Sequence, residues 1–245
     1  MQQQLAKNGF EGELWVTDWG CSVANRNYLQ DSCFRSAFIV ANTLQNAGRV
    51  NSMGIFYASD ALNAFSDSHM ILSGSAGLVS RNGICKPAYY AYRFLNRLGR
   101  YQLIQTDGCV ITAENTSDIR ILCYNDKALG PNYYLSEENS FHPDELRKLF
   151  TDLDARIMEL ILNVGADESP YIVRQQILNE QKGSILDKWI DFDCSPNLTR
   201  NDMEYLEKIA IPEIIAETIR PLAGQLRISF KMEPNEIRLI TLTKE

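Results

Sequence analysis

Residues 13–22 read E-L-W-V-T-D-W-G-C-S, and the interpretation of the rest of the chain depends on them. Leu14 and Val16 alternate with other residues that favour β-structure, so the stretch predicts a short buried strand that ends at Asp18. A carboxylate at the carboxyl end of a strand is typical of a catalytic or ligand-facing position at the mouth of an α/β barrel. The alternative is an ordinary turn in which Asp18 accepts nearby backbone N–H groups, and spacing alone favours that alternative.

The composition predicts a globular protein with one large domain or two smaller ones. The chain has 245 residues, of which 45% are hydrophobic and 22% charged, and these proportions are typical of soluble domains. The net charge of −7 argues against a non-specific nucleic-acid surface, so we expect no direct nucleic-acid contact by this segment. The sequence has no apolar run of about 18 residues and no signal-peptide pattern. We therefore predict a cytoplasmic protein without a membrane partner.

The residue types that usually bind metals are sparse and poorly spaced. With only two histidines, His69 and His142, the chain has little from which to build a histidine-rich metal site or a Ser-His-Asp triad. The six cysteines include no C-x-x-C pair, which favours reduced thiols over a zinc site. The acidic stretch 144–154 lacks the glycine and the ligand spacing of a calcium-binding loop. We expect no cofactor and no metal.

Two strand–helix units follow one another in the first hundred residues. Apolar spacing predicts a helix over 33–44 and another over 88–98, with a second short buried strand over 52–57 between them. Asp60 follows the second strand, as Asp18 follows the first. Two such units cannot close a barrel of eight or bury both faces of a parallel sheet.

The loops of this region predict a helix N-cap and a binding loop. Asp31 and Ser32 come directly before the first helix and predict an N-cap, since short polar side chains there accept backbone N–H groups. The loop that follows Asp60 and runs to Ser80 is too long for a simple connection, so we expect a binding loop.

From residue 100 onward the apolar period changes from helical to alternating. Strands are predicted over 119–123, 156–164, 171–178, 226–232 and 237–241. Short helices are predicted over 186–192 and 200–208, the second with Thr199 as its N-cap. We predict a barrel portion over 1–99 and an antiparallel β-sandwich with small helical insertions over 100–245.

Three stretches resemble glycoside hydrolase family 39, the β-xylosidase and α-iduronidase family. Residues 13–22 look like its nucleophile strand, and residues 56–62 (F-Y-A-S-D-A-L) resemble its last barrel strand. Residues 77–99 (G-L-V-S-R-N-G-I-C-K-P-A-Y-Y-A-Y-R-F-L-N-R-L-G) resemble its final barrel helix. The resemblance covers essentially the whole chain. It implies the C-terminal βα units of a TIM (β/α)8 barrel, then a β-sandwich, in a retaining glycosidase acting on a xyloside or related saccharide.

A subgroup of that family is similar in further stretches. Residues 25–34 (N-R-N-Y-L-Q-D-S-C-F), 202–206 (D-M-E-Y-L) and 234–240 (P-N-E-I-R-L-I) resemble proteins in which barrel and sandwich follow an AraC-type helix-turn-helix. This implies an alternative function, a saccharide-sensing C-terminal module of an AraC-type transcription regulator. In a third interpretation, residues 100–245 stabilise the barrel by packing against it and bind no ligand of their own.

The resemblance assigns roles to five residues. It places Asp18 at the nucleophile position and Trp19, Phe56, Asp60 and Asn63 at substrate-binding positions. For Trp19 the alternative is packing beside the strand, and for Asp60 it is a cap on the following loop.

The chain departs from the family pattern at the chemical centre. The family has Glu at the nucleophile position and Asn where Gly20 stands, and near Asn63 it has a Glu that contacts the sugar. Asp18 is one methylene shorter than Glu, and a misplacement of about 1 Å can lower a rate by about 10²-fold. The family's acid/base residue belongs to an upstream barrel half, so that half would be a partner of this segment. We therefore expect that this chain alone hydrolyses glycosides weakly or not at all.

Overall fold

The computed structural model describes residues 2–22, 26–55, 57–62, 68–138, 140–165 and 168–244. Their α-helices lie at Gln2–Lys7 (α1), Cys33–Asn46 (α2), Pro87–Leu95 (α3), Pro131–Tyr134 (α4), Leu186–Asp191 (α5) and Arg200–Ile209 (α6). Their strands lie at Trp15–Val16 (β1), Ser52–Met53 (β2), Tyr101–Thr106 (β3), Cys109–Asn115 (β4), Asp118–Tyr124 (β5), Arg156–Asn163 (β6), Tyr171–Leu178 (β7), Glu213–Ile219 (β8), Gln225–Met232 (β9) and Ile237–Lys244 (β10). Short 3₁₀ helices lie at Tyr28–Asp31, Asp60–Leu62 and Pro143–Leu149.

The first two strands are parallel and are connected through α2. Trp15 of β1 pairs with Ser52 of β2, and Val16 pairs with Met53. The prediction of a buried strand that ends at Asp18 and another over 52–57 is wrong in length and in burial, because each strand has two residues and Trp15 is 61% exposed. A strand is buried only when other elements cover both of its faces. Among the described strands, β1 and β2 pair only with each other.

The later strands form a six-stranded antiparallel sheet in the order β3-β4-β5-β10-β7-β8, and β6 pairs with β9 in a second sheet. The alternating patterns therefore predicted β5, β6, β7, β9 and β10 correctly. The sequence interpretation missed β3, β4 and β8, of which β3 and β8 are the edge strands and have nearly all residues exposed. An edge strand exposed on both faces has no apolar alternation to signal it.

Strand β10 lies at the centre of the packing and is buried on both faces. Leu239 packs with α2 and α3 in one apolar cluster that also contains Leu44 and Phe94. On the other face, Ile240 and Leu242 pack in a second cluster with residues of β6 and β9. Because β10 has a neighbouring strand on each side and an apolar cluster on each face, five of its eight residues are buried.

A third apolar cluster joins the N-terminal elements to the helices inserted in the second half. Leu29 and Leu72 pack there with Trp189 of α5 and Leu206 of α6, and all four side chains are buried. The N-terminal elements and the inserted helices α5 and α6 thus share one apolar interior.

The helix caps show one confirmed prediction and one correction. Thr199 caps α6 as predicted, since its hydroxyl accepts the backbone N–H of Asp202. Ser32 occupies the N-cap position of α2 but makes no side-chain cap bond, and Asp31 is turned inward instead.

In the described part of the chain, no helix is long and apolar enough to cross a membrane.

Candidate functional site

An open cleft of about 940 Å³ lies where both parallel strands end. Its wall includes Asp18 and Trp19, which follow β1, and Ile55 and Tyr57, which follow β2. A further part of the wall comes from residues between 126 and 138, after β5. The volume is at the upper end of the range of about 300–1,000 Å³ that is common for small-molecule sites. The structure therefore brings the predicted nucleophile position into a concave site.

Asp18 is exposed in this cleft and lies two residues beyond the end of β1. Its position at the carboxyl end of a parallel strand is the one that barrel enzymes use for catalytic groups. A carboxylate in this place can accept hydrogen bonds from a ligand or approach an electrophilic carbon.

Trp19 is fixed in the wall of the cleft by another aromatic ring. Its ring stacks on that of Phe38 from α2, with centroids 5.6 Å apart and planes 30° apart. Its indole Nε1 is shielded from solvent and has no hydrogen-bond partner among the described residues. A buried donor without an acceptor is costly, so a ligand oxygen that accepts from Nε1 would recover a hydrogen bond. The stacking of Trp19 on Phe38 matches the alternative of packing, and its substrate-binding role stays a prediction.

The thiol of Cys21 lines the same cleft but is not an activated nucleophile. Burial raises the pKa of Cys21 to about 11, so the thiol stays protonated at neutral pH. Because the thiolate is the reactive form, the raised pKa argues against cysteine chemistry here.

Two further carboxyl groups line the cleft, Asp126 and Glu138. Desolvation raises the pKa of Asp126, which favours the protonated form relative to an exposed aspartate. Tyr133 lies in the same wall, and its burial and the neighbouring Glu138 raise the pKa of its hydroxyl. The sequence interpretation missed these residues because no motif or spacing signals them; only the tertiary packing places them beside Asp18.

A cluster of buried charges lies behind the cleft. The Nζ of Lys86 is 2.5 Å from Oδ1 of Asp31 and 3.0 Å from Oδ2 of Asp60, and it donates to the carbonyl oxygen of Ser75 over 2.6 Å. Asp31 also accepts the backbone N–H of Gly74, with 2.6 Å between N and Oδ2. Asp31 and Lys86 therefore bond directly to the backbone at Gly74 and Ser75, and Asp60 holds Lys86 in place.

Arg35 of α2 connects this charged cluster to the cleft. Its guanidinium donates to the carbonyl oxygens of Ala76 and Gly77, at 2.5 Å and 3.0 Å, and it also lines the cleft. Burial lowers the pKa of Arg35, while the negative charge of Asp31 acts in the opposite direction. Two cations and two carboxylates thus balance in the interior, which is the condition under which buried charges are tolerated.

Asp60 is part of that cluster. Its carboxylate accepts the backbone N–H of Gly77 over 2.8 Å and pairs with Lys86, and it is not among the residues that line the cleft. Burial raises the pKa of Asp60, and the ammonium group of Lys86 opposes that shift. These contacts match the alternative of a loop cap, and its substrate-binding role stays a prediction. Phe56 and Asn63 lie outside the described residues.

Comparisons with known proteins identify the relatives of this chain. The family model described as Glycosyl hydrolases family 39 matches residues 2–227. A beta-xylosidase of Geobacillus stearothermophilus is 23% identical over 232 residues, which cover 94% of this chain and 41% of that relative.

Solved structures show the same fold. A monomeric beta-xylosidase from Caulobacter crescentus CB15 superposes with a TM-score of 0.83 at 21% identity, covering 99% of this chain and 48% of that one. The GH39 enzyme from Xanthomonas axonopodis pv. citri superposes with a TM-score of 0.80 at 19% identity, covering 95% and 45%. The chain therefore spans less than half of the length of these relatives.

Proposed function

The chain belongs to family 39 of the glycosyl hydrolases, and from this premise we propose that its cleft binds a xyloside or related saccharide at Asp18 and Trp19. The observation that carries the proposal is that these two residues line one cleft at the ends of parallel strands. A carboxylate beside an aromatic ring fits a sugar, since the carboxylate accepts from hydroxyl groups and the ring packs on C–H faces.

In this proposal residues 1–99 supply the C-terminal βα units of a TIM barrel, and residues 100–245 form the β-sandwich. The parallel pairing of β1 and β2 through α2 supports the barrel assignment. The outer edges of β1 and β2 would then pair with strands of an upstream barrel half, as edge groups require partners.

Asp18 would occupy the nucleophile position of a retaining mechanism. There a carboxylate attacks the anomeric carbon as the glycosidic C–O bond breaks, and a second carboxyl group about 5 Å away protonates the leaving oxygen. Asp18 is shorter than the family's Glu, and the family's acid/base lies upstream of this chain. We therefore propose a saccharide-binding module with weakened or absent hydrolysis.

Calorimetric titration of the chain with xylobiose tests the binding. We expect saturable binding, and we expect Trp19→Ala to lower the affinity by up to about tenfold through the loss of one aromatic contact. Trp15→Ala is the matched control because Trp15 is exposed and is not among the cleft-lining residues. The absence of binding, or an equal loss in both variants, would contradict the proposal.

Incubation with 4-nitrophenyl β-xyloside tests the chemistry separately. We expect the chain to release nitrophenol no faster than the Asp18→Ala variant does. Turnover that Asp18→Ala abolishes would contradict the weakened chemistry and would assign Asp18 as an active nucleophile.

The second candidate is the saccharide-sensing module of an AraC-type regulator, which is motivated by the resemblance of residues 25–34 and 234–240 to that subgroup. It requires saccharide binding that persists without hydrolysis. Binding of xylobiose that survives Asp18→Asn, together with an upstream reading frame that encodes a helix-turn-helix, would favour it. An upstream frame without such a motif would contradict it.

A further inference from the structure

A second concave surface lies on the six-stranded sheet beside α3, away from the cleft of Asp18. It has a volume of about 370 Å³, and four arginines line it: Arg93, Arg97, Arg120 and Arg174. We call this surface the arginine cleft. It shares no lining residue with the first cleft.

Strand register explains why these arginines converge. Arg120 of β5 pairs with Thr241 of β10, and Thr241 pairs with Arg174 of β7, so the three side chains form one row on one face of the sheet. With adjacent strands about 4.8 Å apart, the Cα atoms of the two arginines are roughly 10 Å apart, within reach of a shared ligand. Arg93, in the last turn of α3, and Arg97, just beyond it, complete the wall from the helix side.

The arginine cleft carries an uncompensated positive charge. Asp118 forms an ion pair with Arg120, with 2.7 Å between Oδ2 and the guanidinium nitrogen. Arg93, Arg97 and Arg174 have no ion-pair partner in the part of the chain that the structure describes. Three unpaired guanidinium groups thus face one cavity in a chain with a net charge of −7.

Guanidinium groups that face one cavity repel one another, and an anion bound between them would relieve that repulsion. Guanidinium groups present planar pairs of N–H donors that match the oxygens of phosphate and carboxylate groups. Thr241, Thr243 and Gln176 line the same cavity and offer neutral donors around these cations.

We propose that the arginine cleft binds a small polyvalent oxyanion of the phosphate type, held by Arg93, Arg97 and Arg174. The phosphate group can come from free phosphate or from a phosphate ester. The cavity is large enough for a phosphorylated small molecule.

Calorimetric titration of the full chain with inorganic phosphate, with pyrophosphate and with glucose 6-phosphate tests the proposal at low ionic strength. We expect saturable binding of at least one of the three probes, tighter for pyrophosphate than for phosphate if charge dominates. Tighter binding of glucose 6-phosphate than of either inorganic anion would identify an ester as the source.

Arginine variants assign the binding to this cleft. Arg174→Gln and Arg93→Gln should each weaken the tightest probe by about tenfold or more, because each removes a charge-assisted contact. Arg227→Gln is the matched control, since Arg227 is an exposed arginine on the other sheet. If Arg174→Gln disturbs the folding of the sheet, Arg93→Gln still tests the cleft, because Arg93 is exposed on helix α3.

No binding of any probe would overturn the proposal, and so would equal affinity of the wild type, Arg93→Gln and Arg174→Gln. An affinity loss as large in Arg227→Gln as in the cleft variants would also overturn it, because it would indicate non-specific attraction. These outcomes are independent of xylobiose binding, which concerns the other cleft.

Discussion

The ammonium group of Lys86 lies 2.5 Å from the carboxylate of Asp31, and both side chains are fully shielded from solvent. Asp31 belongs to the 3₁₀ helix that precedes α2, and Lys86 directly precedes α3. The ion pair therefore connects the starts of the two helices that pack on the sheet. Through Asp60 and Ser75 the same lysine also fixes the backbone behind the cleft.

We expect Lys86→Met to destabilise the fold by about 3–5 kcal/mol, since it leaves the buried carboxylates of Asp31 and Asp60 without the ammonium group that pairs with both. Lys148→Met is the matched control, because Lys148 is exposed and pairs with Glu145 at the surface; its cost should be below about 1 kcal/mol. Urea unfolding followed by circular dichroism measures both variants. Equal costs in the two variants would show that the buried cluster contributes no more than a surface pair.

Gly74 should tolerate alanine much less well than Gly83. Both glycines have positive φ angles, +69° and +90°, but a Cβ at Gly74 would lie 2.5 Å from backbone atoms of Arg26 and Asn27, whereas none lies within 4 Å at Gly83. Gly83→Ala should cost about 1 kcal/mol from backbone strain alone. Gly74→Ala should cost about 3 kcal/mol, because overpacking against backbone adds to the strain. Thermal and urea unfolding of the two variants give this difference directly, and similar values would contradict the close approach.

The capping box at the start of α6 should contribute a pH-dependent stability. Hydrogen bonds from Thr199 lower the pKa of Asp202 below its usual range. A carboxyl group whose folded-state pKa is depressed stabilises the fold above its unfolded-state pKa of about 3.9, and that contribution disappears as the pH falls through the folded-state pKa. Stability differences between the wild type and Asp202→Asn should therefore be present at pH 6 and shrink below about pH 4.

Thr199→Ala should cost about 1 kcal/mol at pH 6 as the N-cap bond is lost. Asn197→Ala, an exposed change in the same loop, serves as the control and should be nearly neutral. Urea midpoints measured from pH 6 to pH 3 follow both effects. A difference between wild type and Asp202→Asn that grows as the pH falls would contradict the assigned direction of the pKa shift.

Arg238 should be essential to the packing of β10. Its guanidinium pairs with Glu236 over 2.6 Å, donates to Gln175 over 3.0 Å and lies 4.2 Å from the ring centroid of Phe230. Arg238→Met leaves the buried Glu236 without its cation, so we expect a loss of about 3 kcal/mol or more in the free energy of unfolding. Arg227→Met, at an exposed position of β9, should change it by less than about 0.5 kcal/mol. Equal urea midpoints for the two variants would remove the special role of Arg238.

The sequence by itself determined the elements whose burial has a period. Residues 226–232 alternate because one face of the strand meets an apolar interior, and residues 33–44 repeat at helical spacing because α2 packs on the sheet with one face. Thr199 was predictable because capping is a local contact between residues three apart. The pattern of residues 13–22 also predicted a strand that ends at Asp18, and Asp18 lies two residues beyond β1 in the wall of the cleft, while its nucleophile role stays a prediction.

Only the tertiary structure decided which ion pairs and which cavities the charged residues belong to. Asp31 has the sequence signature of an N-cap, yet Lys86, 55 positions later, draws it into the interior. Asp126 and Glu138 reach the cleft, and Arg93 and Arg174 share a cavity, through packing between distant segments. Local patterns report on burial and on neighbouring backbone groups, whereas ion pairs and cavities depend on which distant segments the fold brings together.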